Sequence, residues 1–277
     1  MPFVLFQKKY FTAGACSDPG LVRTENQDSY CCFTNSGVFA VADGMGGGEG
    51  GARAARFVTD HLQRAALAPL KTPAAAAELA YQANTRILEY ASQHHLRGMG
   101  STVVAMTLSA FRPREAIVFH AGDSRCYRLR KNSLEQLTGD HTVAAAMGIP
   151  EEKLAKHLRG VLTNAAGCGT NFFVETQDIE LADGDVYLLC SDGVARQVAE
   201  STIRKILAQR DKSVEDRAKA LVDASLKAGG VDNATALVIA FGAIPEASPD
   251  VRQEEAACPD RAEWENEGDS DVTPPTE

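Results

Sequence analysis

Four aspartates placed in or beside glycine turns are the residues of this sequence best suited to carry chemistry. They are Asp43, Asp123, Asp192 and Asp232. Asp43 follows the apolar run at 38–42, and Asp192 follows the apolar run at 185–191. A carboxylate at the end of a buried strand is poorly solvated, and a divalent cation can neutralise it there. Oxygen ligands without histidine or thiolate favour Mg²⁺ or Mn²⁺.

Each of these aspartates has a simpler explanation when it is taken alone. Aspartate beside glycine is a favoured turn sequence, so any single member of the set is explained by its turn. Residues 44–51, which follow Asp43, contain six glycines, and glycine lets main-chain carbonyls approach a cation closely. The repetition of one arrangement at four places favours a metal site over four unrelated turns.

Length and composition are those of a soluble globular enzyme. The chain has 277 residues, of which 44% are hydrophobic and 23% are charged, and it can bury a sizeable core. No apolar run approaches the ~20 residues that a membrane helix needs. The first residues lack the order and length of a signal peptide. We therefore predict a cytoplasmic protein that does not engage a membrane.

The net charge of −9 comes from the C-terminal end of the sequence. Residues 246–277 carry 11 acidic and 2 basic side chains, whereas the preceding residues carry 26 of each sign. Nothing in this distribution suggests nucleic-acid binding. Residues 244–277 contain prolines and almost no apolar periodicity. We predict one folded domain over 1–243 and a disordered acidic tail over 244–277.

The seven cysteines fit neither a disulfide framework nor a zinc site. Their number is odd, no CxxC pair occurs, and several lie in apolar runs, where a thiol acts as a small hydrophobe. We predict reduced, structural thiols.

Periodicity predicts the elements that position the aspartates. Strands are predicted at 10–17, 29–34, 38–42, 101–109, 116–121, 125–130, 185–191 and 234–241, with a short one at 134–137. Helices are predicted at 51–70, 73–96, 198–209 and 213–228, with a short one at 150–158. Successive strands without intervening helices indicate antiparallel sheets in one α/β domain.

Six motifs, in order between about Ser17 and Phe241, resemble those of the bacterial branch of the type 2C, metal-dependent (PPM) serine/threonine protein phosphatases. The motifs are Arg23-x-x-Asn26-Gln27-Asp28, Val41-Ala42-Asp43-Gly44-Met45-Gly46-Gly47, Gly100-Ser101-Thr102, Gly122-Asp123-Ser124-Arg125, Ser191-Asp192-Gly193 and Val231-Asp232-Asn233-Ala234-Thr235. The resemblance implies an α+β fold: a four-layer αββα sandwich in which two central antiparallel sheets are flanked by helix pairs. It also implies a metal centre at one end of the sandwich.

The resemblance implies a role for each metal-site residue. Asp43 would bridge two metal ions, and the main-chain carbonyl of Gly44 would bind one of them. Asp192 and Asp232 would bind the other ion. Asp123 would join Asp192 at a third, weaker metal site.

Two further residues would act on the substrate. By the same likeness, Asp28 would belong to the metal shell and position the attacking water. Arg23 would hold the substrate phosphate, for which a guanidinium fork suits two phosphoryl oxygens.

The implied function is hydrolysis of phosphoserine and phosphothreonine on proteins by a water that two Mn²⁺ or Mg²⁺ ions activate. Phosphorylated proteins and a cognate serine/threonine kinase would be the partners, and we predict a monomer. Two alternatives stay open. One is a catalytically silent relative that binds phosphoproteins, and the other is a phosphatase of a small phosphorylated metabolite.

Some positions depart from the family pattern, and others are explained by a structural role. Met45 replaces a histidine that some members carry, so protonation of the leaving group is assigned to a water. Gln27 replaces an acidic residue that often precedes Asp28. Asp140 is predicted to cap a turn, and Arg125 is predicted to pair with a neighbouring carboxylate.

Overall fold

The computed structural model of the protein describes residues 10–65, 72–109, 112–169 and 171–243. The predicted acidic tail lies outside the described residues. The described strands are β1 (Phe11–Asp18), β2 (Asp28–Phe33), β3 (Val38–Met45), β4 (Gly100–Ser101), β5 (Val103–Leu108), β6 (Glu115–Ala121), β7 (Arg125–Arg130), β8 (Ser133–Gln136), β9 (Glu175–Glu180), β10 (Val186–Cys190) and β11 (Ala234–Phe241). The described helices are α1 (Gly48–Ala65), α2 (Pro73–Gln93), α3 (Val143–Met147), α4 (Asp192–Ala195), α5 (Glu200–Leu207) and α6 (Val214–Lys227).

The strands form two antiparallel sheets. One sheet has the order β1-β11-β10-β7-β8, and the other has the order β2-β3-β5-β6-β9 with β4 paired to the end of β3. Side chains on a strand alternate between its two faces. In β3, Phe39 and Val41 therefore face the other sheet, whereas Ala40 and Ala42 face the helices.

The core is divided into three layers by the two sheets. Between the sheets lie large side chains such as Phe39, Met106, Tyr187, Leu189 and Ile239. Helices α1 and α2 pack through small and aliphatic residues on the β3–β5–β6 face, and α4, α5 and α6 pack on the outer face of β10 and β11. The predicted four-layer αββα sandwich is thus present, because each sheet buries both of its faces.

Several local features differ from the sequence prediction, among them the short helices α3 and α4, which were not predicted. Strand β9 was not predicted, because only Ile179 of its six residues is buried and the rest carry no apolar alternation. The helix predicted at 150–158 is instead two short 3-10 turns at Glu151–Lys153 and Lys156–Leu158. The predicted capping role of Asp140 is wrong: Thr142 caps α3 by accepting a hydrogen bond from the backbone N–H of Ala145 at 3.2 Å.

Strand ends from both sheets converge at one end of the sandwich. Asp28 begins β2 and lies opposite Asp43 near the end of β3. In the other sheet, β10 ends just before Asp192, and β11 begins just after Asp232. The four carboxylates therefore meet where the sheets face each other. Within the part of the chain that the structure describes, no helix has the length and apolarity that crossing a bilayer requires.

The close approach of two turns at this end requires glycine at position 193. A Cβ added to Gly193 would lie 1.9 Å from the backbone oxygen of Asn233. Gly193→Ala should therefore lower the free energy of unfolding by about 2 kcal/mol or more, since the main chain must shift to relieve the overlap. Urea unfolding of purified protein measures this change.

Gly139→Ala is the matched control, because a Cβ at that position meets nothing within 4 Å. It should leave the unfolding free energy within about 0.5 kcal/mol of the wild-type value. Equal destabilisation by the two variants would show that the turn contact at Gly193 is not the constraint.

Candidate functional site

Asp28 is held at the site by two hydroxyl donors. Ser191 Oγ and Thr235 Oγ1 each donate a hydrogen bond to Asp28 Oδ2 at 2.7 Å. The other oxygen, Asp28 Oδ1, is buried and has no hydrogen-bond partner among the described residues. A buried acceptor without a donor is costly, so this oxygen is available to a ligand.

Asp43 is fixed through its own backbone. Its N–H donates to Thr102 Oγ1 at 3.0 Å, and its carbonyl accepts from the Thr102 N–H at 2.9 Å. The Thr102 hydroxyl is in turn 2.7 Å from Ser124 Oγ. The charge of the Asp192 carboxylate, which comes from the other sheet, helps to raise the pKa of Asp43. The backbone of β3 thus points its last carboxyl group across to the other sheet.

Gly44, the next residue, permits the tight packing of β3 against the start of α1. A Cβ at Gly44 would lie 2.1 Å from the backbone oxygen of Gly51 and 2.7 Å from that of Gln27. Any side chain here would push the glycine-rich turn away from the carboxylates.

Asp232 forms an ion pair with Arg23, the basic residue that was predicted to contact substrate. Arg23 Nη2 donates to Asp232 Oδ2 at 2.8 Å, and the Arg23 side chain is 54% exposed. The loop that holds Arg23 is fastened by Asn233, whose Nδ2 donates to the carbonyls of Pro19 and Glu25, both at 2.9 Å. Arg23 is thus placed at the rim with its guanidinium beside the site.

Asp123 and Asp192 share one guanidinium. Arg196 Nη2 donates to Asp123 Oδ2 at 2.6 Å, and Arg196 Nε lies 3.4 Å from Asp192 Oδ2. Arg196 Nη1 also donates to Glu151 Oε1 at 3.1 Å. The structure therefore brings together every predicted site residue and adds Arg196 and Glu151, which sequence reasoning missed.

The spacing of Arg196 was the available signal. Arg196 lies four residues after Asp192, and that spacing on a helical turn brings two side chains together. Glu151 has no comparable signal, because it comes from a separate segment. The predicted pairing of Arg125 is confirmed: its guanidinium donates to both oxygens of Asp140 at 2.8 and 2.6 Å.

The carboxyl groups strongly perturb one another. Burial raises the pKa of Asp43 well above its usual range, and the charges of Asp28, Asp192, Asp123 and Asp232 raise it further. Burial likewise raises the pKa of Asp28 to about 6 and that of Asp123 to about 7. Without a cation, this site favours protonated carboxyl groups.

The donor set fits hard divalent cations. The candidate ligand atoms are carboxylate and main-chain oxygens, which suit Mg²⁺ and Mn²⁺. The orphaned Asp28 Oδ1 and the mutually repelling carboxylates are both satisfied by positive charge in their midst. A bound cation would therefore replace protons with a fixed charge.

A second cluster, made of His120, His141 and Glu175, does not have the chemistry of a metal site. The His141 Nε2 and His120 Nε2 atoms lie 3.4 and 3.6 Å from the Glu175 carboxylate oxygens. However, His141 Nδ1 accepts the backbone N–H of Gly122 at 3.1 Å, so the neutral ring carries its proton on Nε2. A metal-binding histidine instead donates a hydrogen bond from the N–H of its other ring nitrogen. The cluster therefore supports the turn at Gly122.

A cysteine nucleophile is excluded by burial. Cys190 and Arg196 have five residues between them, the Cys-x5-Arg spacing of phosphate-cradling loops. However, the Cys190 side chain is fully buried, and burial raises its pKa to about 12. Arg196 binds carboxylates instead of facing the thiol. The six cysteines in the described ranges are free thiols.

Comparison with known proteins assigns the chain to a family. Residues 22–228 match the family described as Protein phosphatase 2C. The chain belongs to this family. Serine/threonine phosphatase stp of Listeria welshimeri is 31% identical over 238 residues, which are 80% of this chain and 93% of that protein. Serine/threonine protein phosphatase PstP of Mycobacterium tuberculosis is 33% identical over 236 residues, which are 81% of this chain and 44% of that protein.

Solved structures agree with this assignment. The catalytic domain of serine/threonine protein phosphatase PstP, in complex with two manganese ions, has 30% sequence identity and a TM-score of 0.75. The match covers 84% of this chain and 99% of that chain. The predicted family and the predicted αββα fold of this 2C phosphatase are confirmed.

The raised pKa values predict how stability changes with pH. A carboxyl group with a raised folded pKa contributes stability that is complete below its unfolded pKa and is lost as the pH rises through the folded pKa. For Asp28 and Asp123 the loss runs from the ordinary 3.8 to about 6 and about 7. The Tm of chelator-treated protein should fall from about pH 4 to about pH 7. Added Mn²⁺ should raise Tm most at the upper end.

Differential scanning calorimetry of two variants separates this effect from general acid sensitivity. Asp123→Asn removes one raised carboxyl group and should flatten the metal-free profile. Asp178→Asn removes an exposed carboxylate of β9 and should leave the profile unchanged. A metal-free Tm that rises across the interval, in wild type and control alike, would contradict the prediction.

Proposed function

We propose that this chain hydrolyses phosphoserine and phosphothreonine monoesters on proteins, with residues 1–243 as the catalytic unit. Its membership of the protein phosphatase 2C family and its relatives named as serine/threonine phosphatases support the reaction class. The observation that carries the proposal is the convergence of five buried or half-buried aspartates beside one exposed arginine. A catalytically silent relative would be expected to lack part of this set.

Mn²⁺ or Mg²⁺ is the proposed cofactor. We assign Asp43, the Gly44 carbonyl, Asp192 and Asp232 to two cations, and Asp123 with Asp192 to a third position. When bound, the cations supply Lewis-acid stabilisation of phosphoryl oxygens and lower the pKa of water. The relative solved with two manganese ions supports this choice.

Asp28 is the proposed residue that orients the attacking water. Ser191 and Thr235 fix its Oδ2, so the carboxyl group cannot rotate freely. Its Oδ1 remains free to accept a hydrogen bond from water. A fixed acceptor directs the lone pair of that water at phosphorus and holds the reactants in line.

Arg23 is the proposed phosphate-binding residue. Its guanidinium has further N–H donors beyond the one that Asp232 uses, and a fork of donors matches two phosphoryl oxygens. The ion pair with Asp232 orients the fork before substrate arrives. Positive charge held there stabilises the negative charge that spreads over the equatorial oxygens in the transition state.

The reaction is a direct displacement. An oxygen–phosphorus bond forms from water, which releases a proton to solvent, while the bond from phosphorus to the seryl or threonyl oxygen breaks. The leaving oxygen takes up a proton and is released as the hydroxyl of the dephosphorylated protein. Met45 is a thioether and has no proton to donate, so that proton comes from a water.

The cellular setting is also part of the proposal. We infer a cytoplasmic, monomeric signalling enzyme that opposes serine/threonine kinases. The relatives named as serine/threonine phosphatases support the opposition to such kinases.

Removal of a central carboxylate tests the proposal. Asp43→Asn should reduce Mn²⁺-dependent hydrolysis of an aryl phosphate and of a phosphothreonine peptide by about 10³-fold or more, because the site loses its bridging charge. Chelator should abolish wild-type turnover, and added Mn²⁺ should restore it. Asp60→Asn, on the exposed face of α1, is the control and should retain full activity.

The same assay separates the alternative substrates. Hydrolysis of the phosphopeptide with a higher kcat/KM than small phosphorylated metabolites supports the protein substrate, whereas the reverse order would assign the enzyme to metabolites. Folded wild-type protein that turns over neither class in Mn²⁺ or Mg²⁺ would refute the proposed function.

Arg23 should contribute mainly to substrate binding. Arg23→Met should lower kcat/KM for the phosphopeptide by about 10- to 100-fold, the effect expected from losing a hydrogen bond to a charged group. Arg86→Met, which removes an exposed arginine of α2, should have no effect on kcat/KM. An unchanged kcat/KM in Arg23→Met would remove Arg23 from the proposed phosphate site.

A further inference from the structure

Arg196 holds three carboxylates with its three guanidinium nitrogens. Nη2 contacts Asp123, Nε faces Asp192 and Nη1 contacts Glu151, at 2.6, 3.4 and 3.1 Å. The Arg196 side chain is only 24% exposed and that of Asp123 only 5%. A guanidinium so enclosed and fully paired is a structural cation, unlike an exposed surface arginine.

The guanidinium bridges the two carboxylates that were assigned to the third metal position. Arg196 contacts the Oδ2 atom of each carboxylate, so a divalent ion held between Asp123 and Asp192 would lie beside the guanidinium. Two cations in one small space also repel each other strongly. Arg196 and a third metal ion therefore compete for the same carboxylates.

The third contact connects this position to a different part of the chain. Glu151 belongs to the segment of 3-10 turns at 151–158, outside both sheets. The same segment covers the guanidinium, because a Cβ added to Gly160 would lie 3.0 Å from Arg196 Nη1. Arg196 is thus the ion-pair link between segment 151–160 and the metal-site carboxylates.

We propose that Arg196 is an internal cation that takes the place of a third metal ion and tethers segment 151–160 through Glu151. Filling the third position with a divalent ion displaces the guanidinium and weakens that tether. Arg196 is therefore a positioning residue that sets the affinity of the third position and couples it to the adjacent segment. The inference rests on the proposed metal-dependent function.

Mn²⁺ titration of the full chain by calorimetry and electron paramagnetic resonance tests the competition directly. Arg196→Met should bind a third Mn²⁺ at least about fivefold more tightly than wild type, because unit like charges about 4 Å apart repel even in a water-like medium. The two tighter sites should be unchanged. Arg204→Met is the control, since it removes a half-buried arginine of α5 that contacts Asn132, and it should titrate like wild type.

Two further variants locate the additional ion. In the double variant Arg196→Met/Asp123→Asn, the gained Mn²⁺ should be lost if it binds at Asp123. Arg196→Lys keeps a positive charge and should stay close to wild type, which guards against misfolding of the methionine variant. Titration of Arg196→Met that matches wild type would overturn the inference while leaving the proposed function intact. A wild-type chain that binds no Mn²⁺ would overturn both.

Limited trypsin digestion tests the contact between Glu151 and Arg196 independently of enzyme activity, through the rate of cleavage within segment 151–160. Segment 151–160 contains Lys153, Lys156 and Arg159, so trypsin can cut within it. Glu151→Gln and Arg196→Met should both speed cleavage there, because the segment loses its ion pair. Glu152→Gln, the adjacent exposed residue, should not. Equal cleavage rates in wild type and Glu151→Gln would refute the tether.

Discussion

Mutual repulsion among buried carboxyl groups is the constraint on which this structure depends. Four carboxyl groups lose hydration where the two sheets meet: those of Asp28, Asp43, Asp123 and Asp192. Burial raises the pKa of each, and the charges of the other three raise the pKa of Asp43 further. The surroundings reduce this cost with hydroxyl donors, guanidinium groups and, in the proposed function, divalent cations. Positive charge at the site therefore stabilises its ionised carboxylates.

The sandwich supplies the rigidity that such a site requires. Each of the two sheets buries both faces, so the ends of β3 and β10 cannot move apart without opening a packed core. Close main-chain contacts at Gly44 and Gly193 then seat the turns against neighbouring backbone. In the proposed function, the reacting groups lie on short turns at the ends of strands. The affinity for a third ion is then set by Arg196, at the end of α4, and by the segment that contains Glu151.

Much of the fold and site could be predicted because the signals are local. Continuous apolar runs predicted the central strands, and aspartate–glycine turns marked Asp43 and Asp192. The misses have physical causes. Strand β9 buries only Ile179. Asp140 was predicted to cap a turn, but its carboxylate pairs with Arg125, fifteen residues away in sequence. The sequence indicated that Arg125 pairs with a carboxylate without indicating which one.

The sequence by itself determined most strands and helices and the identity of the acidic residues, because periodicity and turn chemistry are encoded over a few neighbouring positions. Its six motifs carried the resemblance that implied the family and the layered fold. Only the tertiary structure decided which polar groups pair across the site. It left Asp28 Oδ1 without a donor and placed Arg196 between Asp123, Asp192 and Glu151. Such pairings join segments far apart in the chain, and their strength depends on burial and distance, which no local pattern records.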